Sequence, residues 1–279
     1  MWVVCACGHP EAAPVAAPAC PIDPITLGDG LTAARVAIAA TPATGGLACL
    51  DVVRADPARF RLRVLTAARD GASHPAPAWR ETFHLAAVIN AGMFHADGAP
   101  VGLIVEHDVA VGADNRKFGG VLAFDPKSPG DPPALVTGRD CAGFDLAALR
   151  ARYHSLVESN RLLGCNGEAL PRSDRKQYSA AAIGVDRAGR IVLLHARAAV
   201  TMTELSRALA QLDLSGALFL EGGPEASLVV KGDAGELSLV GSYETGFVEH
   251  DRNHEFWWLP NVLALEAHGD GDRGATGQR

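Results

Sequence analysis

The stretch Glu221-Gly222-Gly223-Pro224-Glu225-Ala226-Ser227 places a carboxylate and two glycines directly behind the apolar run at residues 217–220. A carboxyl at the end of a buried strand loses hydration, which favours its protonated form and suits a general acid. The glycines leave backbone N–H groups open to close approach by an anion. A tight turn with Glu221 in a salt bridge is the plain structural alternative. Residues 90–97 (NAGMFHAD) have a similar form, with Asn90 ending the apolar run 85–89, Gly92 close behind and Asp97 further on. Sites are commonly built on loops at strand ends, although an Asn there also serves simply to close its own turn.

Two further stretches belong beside these. Residues 158–167 (ESNRLLGCNG) set Ser159 and Arg161 among small and apolar neighbours, and arginine offers a fork suited to phosphate or carboxylate. Residues 241–247 (GSYETGF) carry Glu244 and precede Phe256-Trp257-Trp258, a pairing of carboxylate and aromatics that suits a sugar platform. Adjacent tryptophans point to opposite faces of a strand, so at least one of them belongs to the core.

The elements that must position these loops are legible in part. Residues 59–64 alternate strictly, with arginines on one face and Phe60, Leu62 and Val64 on the other, which is the period of a half-buried strand. With the apolar run 48–53 and the turn Ala55-Asp56-Pro57, this predicts an antiparallel hairpin. Strands are also expected at 85–89, 100–106, 120–124, 217–220 and 262–265. Residues 181–185 and 191–195 flank Asp186-Arg187-Ala188-Gly189 and read as a hairpin. Asp145 is expected to cap a helix through Val157, on the spacing of Leu146, Leu149, Tyr153 and Leu156. Thr201-Met202-Thr203-Glu204 fits a capping box at the start of a second helix. Hairpins dominate and two helices stand out, so the expected fold is α+β, one domain with a mixed, mostly antiparallel sheet and a few flanking helices.

Composition narrows the function. The 279 residues carry a net charge of −7, which argues against a nucleic-acid binder needing a basic face. No apolar run approaches the roughly 18–20 residues that cross a bilayer as a helix. There is no P-loop and no G-x-S-x-G, and the G-x-G-x-x-G at 269–274 lies in a polar tail with no helix behind it. No C-x-x-C pair occurs, so a thiolate zinc site is unsupported; no metal is expected, and nothing in the sequence identifies a cofactor. Cys141 and Cys165 are candidates for a disulfide in an oxidising compartment, or equally for buried thiols. Residues 1–30 read as a disordered, export-like segment in which Val4-Cys5-Ala6-Cys7-Gly8 is similar to a lipoprotein box, with Cys7 as a possible lipid anchor to the membrane. The globular domain is expected over 31–267, with a disordered tail over 268–279.

Taken in order, Asn90-Ala91-Gly92-Met93-Phe94, Val101-Gly102-Leu103, Glu158-Ser159, Ala182-Ile183-Gly184 and Leu220-Glu221-Gly222-Gly223 resemble the motif series of the phosphodiester glycosidase family. The resemblance spans roughly residues 85–265. It departs from the family at three places. Glu221 stands where active members usually have Asp, Ala180 stands where they have Arg, and Pro224-Glu225-Ala226-Ser227 replaces a serine-rich end. Residues 242–247 are similar to bacterial members, which implies a divergent bacterial branch.

The resemblance implies hydrolysis of a glycosyl phosphodiester, with a carbohydrate or sugar-phosphate substrate, while the export-like N-terminal segment carries the expectation of an exported, periplasmic or envelope location. On this reading Glu221 is one catalytic carboxyl, with Glu225 or Asp97 as its partner. Asn90, Gly92, Ser159 and Glu244 would contact the sugar, while Gly222, Gly223 and Arg161 would hold phosphate. The competing expectation is a non-catalytic binder of envelope glycans that keeps the fold, favoured by the missing arginine at Ala180.

Overall fold

The computed structural model describes residues 20, 22–40, 42, 47–173 and 175–269. In chain order the strands begin with β1 (Ile22–Gly28), β2 (Leu31–Ala37), β3 (Cys49–Ala55), β4 (Phe60–Thr66), β5 (His74–Pro75) and β6 (Ala87–Asn90). They continue with β7 (Ile104–Glu106), β8 (Val109–Val111), β9 (Gly120–Pro126), β10 (Ala134–Gly138), β11 (Tyr153–Ser159) and β12 (Tyr178–Asp186). The last are β13 (Ile191–Val200), β14 (Leu214–Gly222), β15 (Ser227–Gly232), β16 (Gly235–Val240), β17 (Trp258–Leu259) and β18 (Asn261–Ala267). Four short helices intervene: α1 (Ala67–Asp70), α2 (Ala76–Thr82), α3 (Leu146–Arg152) and α4 (Met202–Leu209).

Three sheets stack around a shared core. Their orders are β1-β2-β3-β13-β12-β14, β10-β9-β11-β7-β8 and β16-β15-β6-β18-β4. Each strand pair among the described residues is antiparallel, for instance β12 with both β13 and β14. The principal apolar cluster draws on all three sheets, through Ile183 and Leu220, Leu122 and Val157, and Ile89 and Leu263. A second cluster lies on the other face of the first sheet, where Ala182, Leu194 and Phe219 meet Leu205 and Leu209 of α4. All nine residues of β12 are therefore buried. This is why residues 180–185 within it form a continuous apolar run and not an alternation. The Thr201 capping box forms as expected, with the Thr201 side chain on the Glu204 N–H and the Glu204 carboxylate on the Thr201 N–H at 2.8 Å.

Several sequence expectations are corrected. The strands at 48–53 and 59–64 both exist but do not form a hairpin. Both edges of β3 are taken, by β2 and β13, so the chain turns at Asp56 and delivers β4 to the third sheet beside β18. The helix begun by Asp145, whose carboxylate accepts from the N–H groups of Ala147 and Ala148, stops at Arg152. Residues 153–159 become a strand instead, because β9 and β7 offer ladders on its two edges. Tyr153 and Leu156 pack with Leu149 all the same, so helical spacing and a helix-to-strand corner serve one cluster. The strand expected at 100–106 is confined to Ile104–Glu106. Finally, β1 lies inside the segment 1–30 that was expected to stay out of the fold. Its ladder to β2 and the buried Leu27 hold it, although Ile22 and Ile25 are exposed. The Cys7 anchor and the tail beyond Gly269 lie outside the described residues.

Cys141 and Cys165 form a disulfide that closes a 24-residue separation and spans from the end of β10 to the segment beyond β11. A cross-link of this span stabilises by roughly 3 kcal/mol, chiefly by restricting the unfolded chain. Cys165→Ser is expected to lower the unfolding free energy by about that amount in denaturant titrations. An unchanged midpoint in oxidised and reduced buffer would show that the bond contributes nothing.

Candidate active site

The end of β14 carries Leu220, fully buried, then Glu221 and Gly222, before a single 3-10 turn over Gly223–Glu225. Gly223 adopts φ +70°, a left-handed conformation that favours glycine. A Cβ built there would stand 2.8 Å from Oε2 of Glu244 and 3.5 Å from Oε2 of Glu225. Those two carboxylate oxygens therefore lie within the sum of these distances of each other, beside the Gly223 backbone. Glu244 reaches this position through isolated bridges to Tyr178 and Val248.

Burial raises the Glu221 carboxyl to about 8, and the charges of Glu225 and Glu244 push in the same direction. The N–H of Gly222, 3.2 Å from Glu221 Oε1, opposes the rise only partly. Glu225 is raised to about 7, again by burial first and then by Glu244. Among the described residues none of the three forms an ion pair. Glu221 consequently holds a proton at neutral pH next to two further carboxyls, the separation of roles that acid–base chemistry requires.

The neighbouring strand end supplies Asn90. Its Oδ1 accepts from the backbone N–H of Ser227 at 3.2 Å, which fixes the amide orientation because that N–H can only donate. Nδ2 of Asn90 and Oγ of Ser227 are buried with no hydrogen-bond partner among the described residues. Gly92, at φ +128°, runs close enough to β14 that an added Cβ would stand 3.8 Å from the Leu220 carbonyl oxygen. Asn90, Gly92, Leu220 and Ser227 thus meet where the first and third sheets converge.

Other residues expected at the site have different duties. Asp97 is exposed, and its Oδ1 accepts from the N–H of Ala99 at 3.0 Å within its own turn. Ser159 is buried and donates its hydroxyl to the Phe219 carbonyl, tying β11 to β14. Arg161 is also buried. It pairs with Asp140 at 2.6 Å and places Nη1 2.7 Å from Sγ of Cys141. Asp140, Cys141 and Cys165 form the one group of three ligand-type side chains close enough for a metal among the described residues. The disulfide leaves that group no thiolate to offer.

Two supports escaped sequence reading. His195 sits fully buried in β13 and meets the Ala226 carbonyl through Nε2 at 3.2 Å, with burial lowering its pKa to about 4. It is a neutral strut beneath the glutamate loop. A histidine inside the apolar run of residues 191–196 was the available signal. Ser179 Oγ accepts from the N–H groups of Ser242 and Tyr243 and so fixes the segment bearing Glu244.

An antiparallel α+β domain with an acid-rich loop at the end of a buried strand that closes one side of the first sheet is the class that fold and site define. The chain belongs to the phosphodiester glycosidase family, whose sequence model matches residues 83–266. No curated protein sequence matches it significantly. The fold is similar to the zebrafish N-acetylglucosamine-1-phosphodiester alpha-N-acetylglucosaminidase catalytic domain, auto-inhibited by pro-peptide. That match has a TM-score of 0.65 and 15% identity, over 89% of this chain and 87% of the other. A protein from Synechocystis gives a TM-score of 0.60 and 16% identity, over 90% of this chain and 64% of the other. No helix among the described residues is long and apolar enough to cross a membrane.

Proposed function

We propose that the chain hydrolyses a glycosyl phosphodiester at the Glu221–Glu225–Glu244 cluster, cleaving the bond between the anomeric carbon and the phosphate oxygen. The observation that carries this reading is a strand-end carboxyl that keeps its proton at neutral pH beside two other carboxyls. Protonated Glu221 donates to the departing phosphate oxygen. Glu225 or Glu244, as carboxylate, takes a proton from the attacking water or attacks the anomeric carbon itself. Asn90 orients sugar hydroxyls. Membership of the phosphodiester glycosidase family and the likeness to the zebrafish enzyme's catalytic domain support the substrate class. The Cys141–Cys165 disulfide supports an exported protein, since such bonds persist in oxidising compartments.

A second reading, a glycan-binding domain without turnover, is favoured by Ala180. It is buried against Gly222, so no arginine is supplied at that position to meet a phosphate. Purified protein offered aryl and nucleotide-linked sugar-1-phosphodiesters at pH 6–8 is expected to release free sugar. Glycan binding with no release across the panel would establish the second reading instead.

A further inference from the structure

Beyond the end of β11 the chain encloses a cleft of about 290 Å³ walled by Arg116, Arg139, Asp140, Arg161 and Arg172. Four guanidinium groups on one cleft repel each other, so the arrangement calls for negative charge. Part of that charge is internal. Arg139 pairs with Asp114 and Glu158, and Arg161 pairs with Asp140. Arg116 and Arg172 meet no carboxylate among the described residues. Arg172 donates Nη2 to the Arg161 carbonyl at 2.6 Å, and its Nε is buried without an acceptor. Nε of Arg161, a residue only 5% exposed, is likewise unanswered. Gly119 forms part of the wall, and nothing lies within 4 Å of where its Cβ would stand, which leaves open space beside the arginines.

We propose that this cleft is an oxyanion site for a phosphate-class group, with Arg116 and Arg172 supplying the uncommitted charge. Planar guanidinium forks match the oxygens of phosphate, and the strong hydrogen bonds they form are charge-assisted. The cleft stands apart from the glutamate cluster. Arg161 bridges to Leu218, three residues before Glu221 on β14, or about 10 Å along the strand. That is further than one phosphate spans. Where both sites serve one substrate, the cleft would take a second anionic group carried further along its leaving portion. This use rests on the hydrolytic reading of Glu221, whereas the oxyanion site itself does not.

The test is calorimetric titration of the full chain with inorganic phosphate at low salt, where surface charges are least screened. Saturable binding is expected, weakened about ten-fold in Arg116→Ala and in Arg172→Ala, as loss of a charge-assisted contact implies. Lys117→Ala, which removes an exposed cation outside the cleft wall, is expected to bind as the parent does. Arg116 is exposed, so its variant carries the test even where Arg172→Ala unfolds. Absence of saturable binding, or equal weakening in Lys117→Ala, would overturn the site.

Turnover then separates the sources. A roughly ten-fold rise in KM in Arg116→Ala, confined to phosphodiesters with a second phosphate on the leaving group, establishes the substrate role. Phosphate binding with every KM unchanged overturns that role and leaves a site for free oxyanion. Phosphate binding with no turnover of any phosphodiester removes the hydrolytic reading and leaves the cleft standing.

Discussion

Glu221→Gln is expected to cut release of sugar from a phosphodiester by about 10²–10⁴-fold, the range that a positioned general acid contributes. Glutamine keeps the shape and can still accept the Gly222 N–H, but it has no acidic proton to give. The pH profile separates this role from a structural one. Wild-type activity is expected to fall above pH about 8 as Glu221 loses its proton, and to fall below about 7 where Glu225 serves as the base. Because the carboxyls interact, both limbs belong to the cluster and not to single residues. Residual turnover in the variant should lack the alkaline limb. An active Glu221→Gln enzyme with the wild-type profile would remove Glu221 from the chemistry.

The same substitution is expected to stabilise the protein at alkaline pH. Below about 4.5 the Glu221 carboxyl is protonated in both folded and unfolded chains and its ionisation costs nothing. Between about 4.5 and 8 the folded state retains a proton that the unfolded state releases, so stability falls as pH rises. Above 8 the loss is complete and amounts to roughly 5 kcal/mol for a displacement of this size. Glu225 adds a smaller loss in the same direction, complete near pH 7. Glu221→Gln removes the larger contribution. Its melting temperature at pH 8.5 is expected to exceed the wild type's by roughly 10–20 °C, and the two should converge near pH 4. Equal melting temperatures at both pH values would show that Glu221 is not held neutral by the fold. Lower activity with higher stability is the pattern expected when a site keeps an unfavourable group for its chemistry.

The strand-end motifs were legible because their signals are local. Apolar runs leading into Asn90 and Glu221, with glycine behind each, need nothing beyond buried strands and tight turns, and both strands form. The Thr201 capping box and the β12–β13 hairpin are equally short-range, and both are present. The corner at Tyr153 was not legible. Leu149, Tyr153 and Leu156 satisfy helical spacing, and only the ladders offered by β9 and β7 turn the second half into a strand. Nor could the sequence show that β3 would be occupied on both edges and so send β4 to another sheet.

The site divides in the same way. Sequence alone marked Glu221, Glu225 and Glu244 as carboxylates beside glycine or aromatics, and a family resemblance marked the chemistry. Tertiary structure decided that Glu244 closes on Gly223 beside Glu225, brought in by backbone bridges to Tyr178 and Val248. It also decided that Asp97 caps its own turn, that Ser159 holds a carbonyl of β14, and that Arg161 faces Asp140 and the disulfide. The reason is physical. Residue type and near-neighbour spacing determine which groups can do chemistry, whereas the burial and mutual charge that raise a carboxyl to about 8 exist only once distant strands have met.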